Sequence, residues 1–326
     1  MNDPLLQVRD LGVDFGARAA LDAVSFDVAR GETVGLVGES GAGKSTLARA
    51  VLRLIPASRG AVLWGGEDLL TCDARALRRH RRDLQIVFQD PLASLNPRMT
   101  VGEALAEPLK IFEPELAAGQ RRARVDRMLE RVGLTVPMSA RYPHEFSGGQ
   151  CQRIGIARAM MQEPKLLVCD EPVSSLDVSI QGQIVNLLAD LQREFGTAML
   201  FISHNLAVVR HLSHRVMVIY CGRIVETASC DELFAAPAHP YTRALLAAVP
   251  DPTRIFEAPG PDGAPAPARP RAAGEAPPGG EIPSGCAFRD RCAYAQEACA
   301  AAVPRLESLG GIHAVACHRR RELVYS

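Results

Sequence analysis

The chain has 326 residues, enough for one large domain or two modest ones. Apolar residues make up 47%, so a substantial core can form, and 37 Lys plus Arg balance 37 Asp plus Glu to a formal charge of zero. That balance argues against a general nucleic-acid binder, which needs a basic surface, and no run approaches the roughly 18 continuous apolar residues of a membrane span. Met1-Asn2-Asp3-Pro4 lacks the basic and apolar stretch of a secretory signal. These features predict a cytosolic chain that reaches a membrane only through a partner.

Residues 1–250 read as α/β. Phe15 either joins the core or offers its ring face to a nucleobase. Residues 21–28 and 61–64 look like edge or antiparallel strands. Residues 33–37 form a short apolar strand running into Gly38-Glu39-Ser40-Gly41-Ala42-Gly43-Lys44-Ser45, and a helix is expected over 45–54. This strand–loop–helix order is the context a phosphate loop requires. Glycine lets the backbone wrap an anion without Cβ clashes, and N–H groups at the helix start point at it. Lys44 then reaches the β- and γ-phosphates, Ser45 ligates Mg²⁺, and Thr46 continues the cradle. The basic run 75–82 reads as a solvated helix face; contact with a permease or with anionic headgroups is the sharper alternative.

An apolar run over 84–88 ends at Gln89, which could sense a γ-phosphate beside Mg²⁺ and water. From Gln89 to Arg158 the character changes. Residues 100–109 and 120–132 have helical periodicity, which predicts an inserted helical lobe at about 98–160. Ser147-Gly148-Gly149-Gln150 precedes a helical stretch over 151–161 and offers free N–H groups and a hydroxyl at a positive helix end. One phosphate cradle is already complete, so this second one predicts a nucleotide shared between two chains.

The strand 166–169 runs into Asp170-Glu171. Open α/β sheets bind ligands at such strand ends. Asp170 suits the magnesium shell and Glu171 suits a general base. His204 follows a strand at 198–202 and suits a γ-phosphate contact, with a structural histidine as the other reading.

Residues 251–285 are dominated by Pro, Ala and Gly and read as a linker. Five cysteines are scattered: Cys72, Cys151, Cys169, Cys221 and Cys230. Four cluster beyond the linker as Cys286-x5-Cys292-x6-Cys299-x17-Cys317. Structural zinc favours pairs about two to four residues apart, and wider-spaced thiolates suit an iron–sulphur cluster. Zinc helped by His313 or His318, and free thiols, stay open.

Taken together, these elements resemble the ATP-binding subunit of ABC transporters over nearly the whole chain. The resemblance assigns Phe15 to the A-loop, Gly38 through Ser45 to Walker A, and Gln89 to the Q-loop. Ser147 through Gln150 match the signature, Asp170 and Glu171 the Walker B end, Ser174-Ser175-Leu176-Asp177 the D-loop, and His204 the switch. The stretches Phe88 through Pro97, Tyr142 through Phe146 and His239 through Leu245 are similar to the dipeptide/oligopeptide import branch, as is the tail from Gly285 to His318.

The resemblance implies a P-loop NTPase fold with an antiparallel β edge subdomain, an inserted helical subdomain, and a Cys-rich extension at 286–326. It implies ATP and Mg²⁺, and for the four terminal cysteines a [4Fe–4S] cluster. It also implies a second ATPase subunit, paralogue or self, beneath two permeases at the cytoplasmic face of the membrane. An extracytoplasmic peptide-binding protein would deliver the cargo, and no nucleic acid is involved. A soluble ABC ATPase and an iron–sulphur redox or sensor protein are the rival readings. Three positions depart from the family pattern: Cys151 after the signature, Ser175 in the D-loop, and Asn205 after the switch histidine. None removes a catalytic group, and Cys151 raises the question of thiol sensitivity.

Overall fold

In the computed structural model, residues 4–248 and 283–323 are described. The expected linker therefore lies outside them, apart from 283–285. The strands in chain order are β1 (Leu6–Phe15), β2 (Arg18–Val28), β3 (Thr33–Val37), β4 (Arg59–Trp64), β5 (Glu67–Asp68), β6 (Leu84–Val87), β7 (Leu166–Asp170), β8 (Ala198–Ile202), β9 (Arg215–Tyr220), β10 (Arg223–Ser229), β11 (Glu307–Gly310) and β12 (His313–Val315). The main helices are α1 (Lys44–Val51), α2 (Ala74–Asp83), α3 (Val101–Phe112), α4 (Ala118–Arg131), α5 (Gly148–Met160), α6 (Val178–Phe195), α7 (Leu206–Leu212), α8 (Cys230–Ala235) and α9 (Pro240–Ala247).

Every residue of β3, β7 and β8 is buried. Continuous apolar strands of this kind belong in a parallel sheet covered on both faces. They form the centre of a sheet ordered β11-β12-β10-β9-β3-β8-β7-β6, parallel from β9 to β6. A second, antiparallel sheet is ordered β2-β1-β4-β5. Strand β2 alternates between buried and exposed positions over its second half, so this sheet keeps one wet face. Helix α1 lies in the core between the two sheets, where Leu47, Ala48, Ala50 and Val51 are buried with Val34 and Leu36 of β3.

Helix α1 ends at Val51, short of the expected 45–54. Arg53 takes a left-handed backbone (φ 50°), which an α-helix cannot continue through. Its guanidinium instead donates to the carbonyl oxygens of Leu69 and Cys72. The basic run lies on α2, where Arg81 is half-buried and donates to the Arg53 carbonyl, so the face is not solvated throughout.

Between β6 and β7 the chain is helical. Thr100 opens α3 with a capping box, its hydroxyl accepting from the Glu103 N–H while its own N–H donates to the Glu103 carboxylate. Helices α3, α4 and α5 bury Leu105, Leu109, Val125, Leu129 and Ile154 against one another and against the main sheet.

After residue 283 the chain returns to that sheet. Strand β12 pairs with β10 in the register Glu226↔Val315, and β11 pairs with β12. The edge of β10, which would otherwise expose unpaired N–H and C=O groups, is thereby covered. The cysteine-bearing segment is thus continuous with the main core: Phe288 packs its ring 5.4 Å from both Tyr220 and Tyr241.

Candidate active site

The phosphate loop starts where β3 ends, at the C-terminal edge of the parallel strands. Gly43 caps α1 in a left-handed conformation (φ 105°), which an L side chain rarely adopts. Gly38 has a different constraint: a Cβ there would lie 2.4 Å from the Ile219 carbonyl oxygen. The Lys44 side chain is only 5% exposed. Its ammonium donates to the carbonyls of Gly38 and Glu39, each at 3.0 Å, and lies 3.5 Å from the Glu171 carboxylate.

Strand β7 delivers the acidic pair. Ser45 Oγ donates to Asp170 Oδ1 at 2.8 Å. Burial pushes the Asp170 carboxyl above its ordinary pKa, against the pull of the Ser45 hydroxyl. Glu171 has a left-handed backbone (φ 48°), a conformation that costs about 1–3 kcal/mol and collects at functional sites. Its N–H donates to the Ile202 carbonyl, which fixes the turn against β8. Its Oε2 accepts from Gln89 Nε2 at 3.3 Å and lies 3.5 Å from His204 Nδ1. Gln89 also donates to Ser174 Oγ, and that hydroxyl donates to the Glu171 carbonyl. The ends of β3, β6, β7 and β8 therefore bring Lys44, Ser45, Gln89, Asp170, Glu171 and His204 into one hydrogen-bonded and ion-paired cluster.

The signature residues are placed elsewhere. Ser147 caps α5, its hydroxyl accepting from the Gln150 N–H while its own N–H donates to Gln150 Oε1. Ser147 and Gly148 are exposed. Gly149 packs under Ile180 of α6, where a Cβ would come within 2.7 Å of Ile180 Cγ2. These contacts are local or made to α6, and among the described residues no hydrogen bond or ion pair joins the signature to the Lys44 cluster. Phe15, at the tip of β1, is 56% exposed and lies outside the core. Asp177 sits at the N-terminal end of α6 without a side-chain capping bond and is exposed beside Val178. Ser40, Gly41 and Ser175 are exposed, Ala42 is buried, and Thr46 is half-buried.

Two of the three departures have local structural roles. Asn205 caps α7, its side-chain oxygen accepting from the N–H groups of Ala207 and Val208. Cys151 is buried, donates to the Pro143 carbonyl, and has its thiol pKa raised by burial. Thiolate chemistry is therefore suppressed there.

Several contributing residues were missed in the sequence because their partners are remote. Tyr241 sits 202 positions from Glu39 yet accepts a hydrogen bond from its N–H at 2.8 Å. Arg291 reaches Glu39 across 252 positions. Arg158 on α5 donates to the Ser94 carbonyl at 2.6 Å, joining the signature helix to the segment after Gln89. A phenol or guanidinium facing a loop far along the chain leaves no periodic trace.

The terminal cysteines Cys286, Cys292, Cys299 and Cys317 line one small cavity with Phe288, Tyr294 and His318. Burial pushes the Cys286, Cys292 and Cys317 thiols up, Cys317 to about 11. Among the described residues, no three His, Cys, Asp or Glu side chains are drawn together as a metal site.

Comparison with known proteins agrees with this geometry. Residues 21–174 match the ABC transporter family, and residues 225–299 match the oligopeptide/dipeptide transporter C-terminal region. The oligopeptide transport ATP-binding protein OppF of Salmonella typhimurium is 53% identical over 266 residues, covering 78% of this chain and 80% of its own. A putative peptide import ATP-binding protein of Brucella ovis is 52% identical over 320 residues, covering 97% and 98%. Among solved structures, cbiO1 of Clostridium perfringens, part of an ABC transporter complex, superposes with a TM-score of 0.65 at 28% identity, over 72% of this chain and 92% of that one. The cassette MJ0796, solved as a dimer with ADP and phosphate, gives 0.64 at 27%, over 69% and 98%.

Proposed function

The chain belongs to the ATP-binding subunits of ABC transporters, and from that premise we propose that it hydrolyses ATP to drive uptake of peptides through a membrane permease. The observation that carries the chemistry is the convergence of Lys44, Gln89, Asp170, Glu171 and His204 on one set of strand ends. Lys44 holds the charge of the β- and γ-phosphates, and the Glu171 carboxylate takes a proton from the water that attacks the γ-phosphorus. The bond to the β-phosphate oxygen breaks, and ADP and inorganic phosphate leave. Gln89 and His204 flank Glu171 Oε2 and orient that water and the γ-phosphate. Phe15 stacks on the adenine. Ser45 and Asp170 present two hard oxygen donors 2.8 Å apart, which fit Mg²⁺. Bound there, the ion would neutralise phosphate charge.

The exposed Ser147 and Gly148 serve the partner's nucleotide. The working unit is therefore a pair of ATPase subunits, alike or paralogous, under two permease subunits at the cytoplasmic membrane face, fed by an extracytoplasmic peptide-binding protein. Within the chain, 1–250 forms the nucleotide-binding domain with its helical part near 98–160, 251–285 the connection, and 286–326 the cysteine-bearing extension. Purification from membranes with its permease, followed by ATP-driven peptide uptake into vesicles, tests this reading. ATPase activity without permease association or uptake would favour a soluble ABC ATPase and refute it.

The four terminal thiols line one cavity, and their wide spacing suits an iron–sulphur cluster better than zinc, so we propose the cluster although among the described residues no three of them are drawn together as a metal site. Such a cluster would stiffen the extension. Visible absorbance of anaerobically purified protein decides the matter: a brown, iron-bearing sample supports the cluster, and a colourless zinc-bearing one refutes it.

A further inference from the structure

Glu39 is an acidic residue inside a loop built to hold polyphosphate. Left bare, its carboxylate would repel the ligand. It is not bare: Arg291 Nη1 and Nη2 donate to Glu39 Oε2 and Oε1 at 2.8 and 2.9 Å, a two-pronged pair. The guanidinium is 11% exposed and lies 5.8 Å from the Tyr220 ring centre and 5.6 Å from that of Phe288. Its Nε is buried without a hydrogen-bond partner among the described residues. Apart from a longer bond from Nη1 to the Tyr220 hydroxyl at 3.4 Å, the guanidinium's charge is thus committed to Glu39. From the other side, Tyr241 Oη holds the Glu39 N–H.

Arg291 immediately precedes Cys292 of the terminal cysteine group. The extension, already packed on the main core through Phe288, therefore also reaches the phosphate loop through this ion pair.

We propose that Arg291 is a positioning residue for nucleotide binding: it neutralises Glu39, so that the phosphate loop accepts ATP only when the cysteine-bearing extension is docked. The inference rests on the phosphate loop being the nucleotide site. By linkage, ATP binding must tighten docking of the extension by the same factor that docking tightens ATP binding.

The test is Mg²⁺–mant-ATP binding to the full-length chain by fluorescence anisotropy at low and high salt. Arg291→Met should raise Kd about tenfold (~1.4 kcal/mol), with the difference shrinking at high salt. Arg291→Lys, which keeps the charge but loses the two-pronged geometry, should fall between the natural protein and Arg291→Met. The double variant Arg291→Met/Glu39→Gln should recover most of the lost affinity, since the repelling charge is gone. A merely structural role predicts no such rescue. The proposal is overturned if Arg291→Met binds as the natural chain does, or if the double variant stays as weak as Arg291→Met. Should Arg291→Met fail to fold, Glu39→Gln alone decides, because a surplus cation should tighten binding and unchanged or weaker binding overturns the idea. A natural protein that does not bind mant-ATP at all would instead sink the nucleotide reading, and this inference with it.

Discussion

Glu226 is wholly buried at 0% exposure, yet it is held as a carboxylate. Oε1 accepts from the Ala238 N–H at 2.7 Å, Oε2 accepts from the His239 N–H at 2.9 Å, and His313 Nε2 lies 2.9 Å from Oε1. Strand β10 carries the glutamate and β12 carries the histidine, so this pair stitches the returning extension to the main sheet. Glu226→Gln keeps the size but leaves one carbonyl oxygen for two backbone N–H donors. One amide then faces the new NH₂ group, an unsatisfied buried donor costing about 1–3 kcal/mol. Loss of the charged partner of His313 adds to this, and breaking a buried pair costs about 3–5 kcal/mol in total. The lower figure corresponds to roughly a hundredfold change in a local opening equilibrium. Hydrogen exchange reads it directly at the Ala316 amide, which donates to Val225 at 2.8 Å. Acceleration of about a hundredfold there, with the β3 and β8 amides unchanged, is the expected result. Acceleration under about fivefold, or equal acceleration throughout the sheet, would refute the argument that this pair fastens the extension.

The same pair sets a pH dependence. Its hydrogen bond to Glu226 holds the His313 pKa above its ordinary value, against burial. That contribution is complete below about pH 6.5 and fades as pH rises through the raised value, so Ala316 exchange, corrected for its intrinsic rate, should quicken toward alkaline pH. Burial pushes Glu226 up, but His313 and the amides of Ala238 and His239 pull it lower overall. Its contribution is present above about pH 4.3 and is lost on acidification through the lowered pKa. Glu171→Gln should cut steady-state ATPase by at least about a hundredfold while mant-ATP still binds, and normal turnover would remove Glu171 from its role. That variant saturated with MgATP should sediment with its partner as a dimer, and a strictly monomeric species would break the shared-site reading. Gly38→Ala should weaken nucleotide binding sharply, since its Cβ meets the Ile219 carbonyl at 2.4 Å; unaltered binding would show that the loop yields. Cys151 should resist alkylation in the folded chain, and rapid labelling would contradict its burial.

The cluster of strand-end residues was legible because its parts are local. A strand of five buried residues, a glycine loop and a helix start are contiguous at 33–51, and each of Gln89, Asp170, Glu171 and His204 sits at or just past the end of an apolar run. Strand β1 was harder to read: its register slips between Val8 and Leu11 and again up to Asp14, so clean alternation is lost. The start of α5 was placed three residues late because Gly148 and Gly149 disfavour helix, whereas the Ser147–Gln150 box carries it. The Glu39–Arg291 and Glu226–His313 pairs could not be read at all. Their members lie 252 and 87 positions apart, and nothing in a local window marks one charge as the mate of another.

The bond from Arg158 to Ser94 has a mechanical meaning. Arg158 is largely buried, and burial lowers its pKa, so its one short bond to a backbone oxygen is not readily traded for water. The rod that bears Ser147 at its tip is tied, near its far end, to the stretch that follows Gln89. Under the two-subunit reading proposed above, a shove delivered to that stretch would be felt at the tip, and a pull on the tip would be felt at the stretch.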